Sequence, residues 1–127
     1  MNLQKYHKYA PMLLRYGIAA VFLWFGLNQM FNTVNFIAYL PTWAMNLPIA
    51  AETFVIANGI FETVFGICLA LGLWTRFSAA VLGLHLLGII HSLGYNDVAV
   101  RDLGLFFATA SIFLNGPDEW SWDRKKK

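Results

Sequence analysis

Four long apolar segments divide the sequence, at about residues 11–31, 53–74, 77–94 and 98–115. Each has roughly 18–22 residues, and at about 1.5 Å per residue such a helix can cross the roughly 30 Å hydrocarbon core of a bilayer. Charged residues make up only 13% of the chain, against about 25% in an average soluble domain. The sequence therefore predicts one all-α domain over residues 1–127, folded as an integral membrane four-helix bundle.

The distribution of basic residues predicts how this bundle is oriented. Of the nine Lys and Arg residues, all but Arg101 lie at or near the side of the membrane that holds both chain ends. Because cytoplasmic loops carry the excess of Lys and Arg, both termini are expected in the cytoplasm, and "RKKK" is a short basic cytoplasmic tail. We expect Arg15, inside the first segment, to snorkel to that surface. The tail suits anionic lipid head groups and does not indicate a nucleic-acid partner.

The connection between the first two segments is too apolar for a solvated linker. It contains five large apolar residues and two prolines: Phe36, Tyr39, Leu40, Trp43, Met45, Pro41 and Pro48. We expect it to lie on the outer membrane surface as an interfacial loop that caps the bundle. The connections "WTRF" and "GYND" are short, which favours antiparallel neighbours. Small residues at which helices can approach closely include Gly59, Gly66 and Gly88.

A carboxylate, Glu62, lies in the middle of the second segment. It follows Glu52 by ten residues, or about 15 Å of helix, and His85 follows Arg76 by nine residues, or about 14 Å. The two side chains are therefore predicted at nearly the same depth on consecutive helices. A charge at the bilayer centre costs about 2.5–3.5 kcal/mol, and a hydrogen bond between Glu62 and His85 lowers that cost for both. The pair is either an interhelical clamp or the catalytic floor of a site.

Further polar residues lie in the outer half of all four segments. They are Asn28, Gln29, Asn58, His91, Arg101 and Asp102. Together they predict a polar funnel that binds a ligand and narrows to Glu62. The alternatives are contacts with interfacial water, a surface ion pair of Arg101 with Asp97, and an Asp102 that favours a helix N-terminus. No metal site is predicted, because His85 and His91 are six residues apart and face different ways. The single cysteine, Cys68, excludes a dithiol redox motif.

Four stretches in fixed order resemble the DoxX family of small bacterial and archaeal membrane proteins. They are "RYGIAAVFLWFGLNQMF" from Arg15, "GIFETVFGICLALGLWTRFSAA" from Gly59, "RDLGL" from Arg101 and "GPDEWSWD" from Gly116. The resemblance implies a four-helix membrane protein of the prokaryotic plasma membrane, in which Glu62, Arg76 and Asp102 carry over by position. Family members often have a lysine where this chain has Gln29. The resemblance also implies membrane redox chemistry, since the family includes the small subunit of a thiosulfate:quinone oxidoreductase.

Two functions follow as hypotheses. In the first, the protein is a redox-associated subunit that binds a small lipophilic, quinone-like ligand, and Glu62 with His85 exchanges the proton of quinone reduction. A bound cofactor or a partner redox subunit then supplies the electrons. In the second, it is a non-enzymatic membrane scaffold, chaperone or small-molecule carrier. Catalysis and homo-oligomerisation stay open in both, and the bilayer is the partner common to them.

Overall fold

The computed structural model describes residues 3–40, 42–93 and 97–125. Within these residues the chain is helical and has no strand, which confirms the predicted all-α class. A 3₁₀ helix at Gln4–Tyr9 precedes seven α-helices: α1 (Ala10–Phe31), α2 (Val34–Ile37), α3 (Thr42–Met45), α4 (Ala51–Leu71), α5 (Thr75–Leu93), α6 (Asp97–Asn115) and α7 (Trp122–Lys125). The four long helices correspond to the four apolar segments and end within three residues of the predicted bounds. Pro41, most of the "GYND" connection and the last two lysines lie outside the described residues.

The end of α4 is set by Gly72, which takes the left-handed conformation with φ 73°. The N–H of Gly72 donates to the carbonyl oxygen of Leu69 at 3.1 Å, and the N–H of Leu73 donates to that of Cys68 at 2.8 Å. These two bonds form a Schellman motif, which satisfies the last carbonyl groups of a helix and stops it. The second apolar segment therefore ends as a helix before Trp74, three residues earlier than predicted.

The closest packing is between α1 and α4, which run antiparallel, and between α5 and α6. A Cβ atom on Gly26 would lie 2.9 Å from the carbonyl oxygen of Gly59, and one on Gly59 would lie 2.7 Å from that of Gly26. Only glycine allows the two backbones to come this close. Gly66 lies farther along the same contact, against Leu23. Gly88 has no neighbour within 4 Å of a Cβ position, so its predicted role in helix contact is wrong.

Large apolar side chains cover the outside of the helices. On α4 they recur every three or four residues, with between 37% and 50% of each side chain exposed: Ile56, Ile60, Val64, Ile67 and Leu71. Of the two charged residues of the same helix, Glu52 is exposed in the first turn, whereas Glu62, in the middle, points inward and is 3% exposed. Such an inside-out arrangement is unfavourable in water and favourable in lipid.

Among the described residues, two helices are long and apolar enough to cross a membrane: Gln4–Phe31 (the 3₁₀ turn with α1) and Ala51–Leu71. Their best apolar windows are only 33% and 28% buried inside the protein, whereas the core helix of a soluble domain is mostly covered by its own chain. The other two long helices are more polar. Three charged residues stand in the first turns of α6, Asp97, Arg101 and Asp102.

The segment between α1 and α4 lies against what we call the loop end of the helices, where α1 ends and α4 begins. The ring of Phe36 packs edge-on against Phe25 of α1, with centroids 6.3 Å apart. Trp43 packs in the same way against Phe54 of α4, at 5.7 Å. Aromatic contacts to both helices thus hold the segment in place.

Residues 116–125, which we call the clasp, fold back onto the opposite end of the helices. Ser121 is fully buried and covers Gly72, where a Cβ atom would lie 2.5 Å from the Ser121 Cα. Both carboxylate oxygens of Asp123 cap α5, because they accept the backbone N–H groups of Trp74 at 2.8 Å and Thr75 at 2.6 Å. Asp123 also accepts the hydroxyl of Thr75 at 2.9 Å. The clasp therefore supplies the N-cap that the sequence of α5 lacks.

The side chain of Arg15 joins the clasp to α1 and α4. Its Nε and Nη2 atoms lie 2.7 and 3.2 Å from the two carboxylate oxygens of Asp118, and its Nη1 donates to the carbonyl oxygens of Leu69 and Ala70. Arg15 is 1% exposed and Asp118 is 3% exposed. The prediction that Arg15 snorkels to the surface is wrong, because a carboxylate 103 residues away pairs with it inside the protein.

Candidate functional site

Three polar side chains, those of Gln29, Asn58 and His85, surround Glu62; the four residues come from three helices, and we call them the Glu62 cluster. Nε2 of His85 lies 3.1 Å from Oε1 of Glu62. Nδ2 of Asn58 donates to the same oxygen at 3.3 Å, and Nε2 of Gln29 donates to Oε2 at 3.4 Å. The two side chains that the sequence places at equal depth, Glu62 and His85, are thus in contact, and two amides complete the surroundings of the carboxylate.

The position of Gln29 follows from the glycine contact between α1 and α4. A Cβ atom on Gly59 would lie 2.9 Å from the Cβ of Gln29, so the amide group of Gln29 emerges beside the turn of α4 that carries Asn58 and Glu62. Asn58 and Glu62 share one face of α4 because they are four residues apart. Oε1 of Gln29 then accepts a hydrogen bond from Nδ2 of Asn58 at 2.7 Å, the shortest bond of the cluster.

His85 is oriented by an aromatic ring as well as by the carboxylate. The ring of Phe61 lies 4.9 Å from the imidazole, centroid to centroid, with 46° between the planes. The His85 side chain is 21% exposed, whereas that of Glu62 is 4% exposed. The imidazole therefore stands between the buried carboxylate and the open space beside it.

That space is a cavity of about 710 Å³ between α1, α4, α5, α6 and the segment after α1. The whole Glu62 cluster lines one part of it. Most of the remaining wall is apolar and rich in aromatic rings: Phe22, Trp24, Phe25, Phe36, Tyr39, Trp43 and Phe54. The predicted polar funnel is therefore wrong in its composition, since the cavity is mainly aromatic and aliphatic with a compact polar cluster in its wall.

Arg101 and Asp102 line the cavity from the start of α6. Nη2 of Arg101 lies 3.3 Å from Oδ1 of Asp102, and its guanidinium carbon lies 5.5 Å from the ring centroid of Phe25. The alternative pairing of Arg101 with Asp97 is wrong; the carboxylate that it contacts is the adjacent one. Arg101 is half-exposed, so this ion pair contributes little to stability.

The remaining two predicted ligand-binding residues differ in their placement. Asn28 lines the cavity, but its amide donates to the carbonyl oxygen of Trp24 at 2.8 Å and its side-chain oxygen accepts from Asn32 at 2.9 Å. His91 is exposed and is not among the described residues of the cavity wall. Its six-residue separation from His85 turns it to another face of α5, and its ligand contact stays a prediction that this cavity does not support.

The sequence suggests that the polar residues are confined to the loop end, and this prediction is wrong. The buried pair of Arg15 and Asp118, with Thr75, Ser78 and Ser121, forms a second polar region at the other end. A second cavity, of about 430 Å³, lies there between the start of the chain and the clasp. Among the residues that the structure describes, no three or more His, Cys, Asp or Glu side chains are grouped so as to hold a metal ion.

Comparison with known proteins yields one match. The family model DoxX matches residues 10–94, a range that contains α1, α4, α5 and the whole Glu62 cluster. The stretches that begin at Arg101 and Gly116 lie beyond the matched range. No curated protein matches the chain, and no solved structure matches it.

Proposed function

The chain belongs to the DoxX family, a family of membrane proteins, and on this basis we propose that it is a redox-associated membrane subunit. Its cavity binds a small lipophilic, quinone-like ligand. Glu62 and His85 exchange the proton that accompanies reduction or oxidation of this ligand, and a partner redox subunit or a bound cofactor supplies the electrons.

The proposal includes the crossing of the membrane by all four long helices. The exposed apolar rows support it, and α5 and α6, with 19 residues each, are about 28 Å long at 1.5 Å per residue. The excess of basic residues at the end that holds the clasp supports a cytoplasmic position for both termini in the plasma membrane of a prokaryote. The aromatic segment between α1 and α4 then lies at the outer surface.

One observation carries the proposal: a buried carboxylate and an imidazole, 3.1 Å apart, stand in the wall of a cavity large enough for a ligand. Ligand sites commonly measure about 300–1,000 Å³ and combine apolar walls with a few convergent polar groups. An ionisable residue inside a membrane protein faces such a site or a partner, because lipid contact is too unfavourable. The aromatic walls suit a flat ring, and the Glu62 cluster supplies its polar contacts.

The same geometry supports a second candidate, a non-enzymatic scaffold or carrier. Glu62 has contacts from three side chains on three helices, and such a carboxylate can act as an interhelical clamp. A clamp alone needs no cavity beside it, so the cavity favours the first candidate over a scaffold, whereas a carrier would use the same cavity.

The test is ligand binding by the purified protein in lipid nanodiscs, with decylubiquinone as the probe. Trp24 and Trp43 line the cavity, so a bound quinone quenches their fluorescence. We expect saturable quenching in the wild type and weaker binding in Glu62→Gln, which keeps the shape of the side chain and loses its charge. Glu52→Gln is the matched control, because Glu52 lies on the same helix, is exposed and does not line the cavity.

Two further results decide between the candidates. The saturable part of the fluorescence quenching should disappear when Trp24 and Trp43 are both replaced by phenylalanine. Quenching of the other tryptophans reports only the partition of decylubiquinone into lipid. If the wild type shows no saturable quenching, or if Glu62→Gln binds as well as the wild type, the carboxylate is structural and the scaffold function is preferred.

A further inference from the structure

The hydrogen-bonding atoms that the Glu62 cluster leaves without a protein partner define what kind of ligand fits it. Both N–H groups of the Asn58 amide are used, by Oε1 of Gln29 and by Oε1 of Glu62. The other atom of that amide, Oδ1, is an acceptor with no partner among the described residues. Gln29 uses one amide N–H on Oε2 of Glu62 and has its second N–H left over.

The same count applied to His85 adds a second unused acceptor when Glu62 is ionised and the imidazole is neutral. An ionised carboxylate can only accept hydrogen bonds, so in that state the imidazole proton at the contact with Oε1 of Glu62 lies on Nε2. Nδ1 then carries a lone pair and has no partner among the described residues. Since neither Nδ1 of His85 nor Oδ1 of Asn58 is one of the fully buried unpaired atoms, both stay accessible on residues that line the cavity.

Two acceptors and one donor are thus available in this part of the wall. A hydroxyl group pairs with two members of this set, because it donates one hydrogen bond to an acceptor and accepts one from the donor. A carbonyl oxygen of a ligand matches these atoms poorly, because it can only accept hydrogen bonds. It would then face the lone pairs of Nδ1 of His85 and Oδ1 of Asn58. Leaving buried polar groups unpaired in this way is a main source of discrimination between similar ligands.

We propose that the cavity selects an aromatic ligand by its hydroxyl group, binding a phenol or hydroquinone in preference to the corresponding ether or carbonyl compound. This inference rests on the proposed function, because it concerns the same cavity. It adds that His85 and Asn58 determine specificity, because they supply the acceptor atoms for the single hydrogen bond that the ligand hydroxyl donates, and that the reduced form of a quinone-like molecule is the one held more tightly.

A redox-inert pair of probes tests the preference: 2-naphthol, and 2-methoxynaphthalene, which has the same ring and no hydroxyl proton. Binding to the protein in nanodiscs is measured by calorimetry, and the partition of each probe into empty nanodiscs is subtracted. We expect 2-naphthol to bind about tenfold more tightly, the effect of one hydrogen bond that is made in one complex and lost in the other. His85→Phe and Asn58→Leu should each bring the two affinities closer together, whereas Thr53→Ala, at an exposed position of α4 that lines neither cavity, should leave the ratio unchanged.

The outcomes separate this inference from the proposed function. Equal affinity for the two probes, or tighter binding of the ether, overturns the preference for a hydroxyl and leaves the cavity as a ligand site. A tenfold ratio that survives both His85→Phe and Asn58→Leu also overturns it, because the selecting groups then lie elsewhere. Absence of saturable binding for both probes removes the inference together with the proposed ligand site.

Discussion

Replacement of Asp118 by alanine is expected to lower the free energy of unfolding by about 3–5 kcal/mol, the usual result of removing one partner of a buried ion pair. The magnitude follows from the surroundings of Arg15, which is 1% exposed and cannot reach solvent without opening the contact between α1 and the clasp. In Asp118→Ala the guanidinium keeps its bonds to two backbone carbonyl groups but loses its counter-charge. The expected decrease in the free energy of unfolding is a large part of the roughly 5–15 kcal/mol that stabilises a typical domain.

Two variants establish that the unpaired charge causes the loss. Asp118→Asn keeps one acceptor oxygen and removes the charge, so we expect an intermediate effect of about 1.5–3 kcal/mol. The double variant Arg15→Met with Asp118→Leu removes both charges and should recover much of the stability, because buried ion pairs are often replaceable by apolar groups of similar volume. Unfolding by denaturant in detergent, followed by tryptophan fluorescence, measures all three. A change below about 0.5 kcal/mol in Asp118→Ala would mean that Arg15 reaches water after all, as the sequence suggested.

The same pair gives a pH dependence with a definite sign. Burial by itself raises the pKa of Asp118, but the hydrogen bonds from Arg15 and from the backbone N–H of Trp120 outweigh it, and the pKa lies below its usual value. A carboxyl group whose pKa is lower in the folded state contributes stability above its unfolded pKa and loses it as the pH falls below that value. Wild-type protein should therefore lose stability below about pH 4, and Asp118→Asn should lack that part of the acid dependence.

Three further changes test the packing and the topology. Gly26→Ala should destabilise the protein by about 1–3 kcal/mol, because its Cβ atom would meet the backbone of α4, whereas Gly17→Ala should have no such effect, since nothing lies within 4 Å of that position. Asp123→Ala removes the cap of α5 and should cost about 1 kcal/mol in unfolding measurements, unlike Glu119→Ala at an exposed site. In a cysteine-free background, a cysteine at the exposed Asn46 should react with an impermeant maleimide added to whole cells, and one at Glu119 should react only after permeabilisation; the reverse pattern would invert the orientation.

Length and hydropathy were sufficient to predict the four long helices, because each is a long and mostly apolar run of residues. Counting residues along those helices was also sufficient to place Glu62 and His85 at one depth. The sequence could not predict in the same way which face of each helix turns towards its neighbours. In a soluble helix the polar face marks the outside, but here the interior and the surroundings are both apolar, so the face of α1 that meets α4 carries no periodic signal.

Two parts of the site could not be predicted from the sequence, each for its own reason. The contact of Gln29 with Asn58 and Glu62 depends on the close approach of two glycines, of which only Gly59 could be suspected from its spacing. The aromatic wall depends on how the segment after α1 folds across the loop end, which its composition does not specify. The clasp escaped as well, because its polar residues pair with Arg15 and with the start of α5, and both partners are distant in sequence.

The long separation between Arg15 and Asp118 also has a consequence for the order of events during synthesis. Chains grow at about 5–20 residues per second, so the 103 residues between the two partners take about 5–20 s to translate. Throughout that interval α1 already carries its guanidinium, and the carboxylate that neutralises it has not yet been made. The first helix therefore enters its surroundings with an unpaired cation, and the ion pair with Asp118 forms only when residues 116–125 arrive.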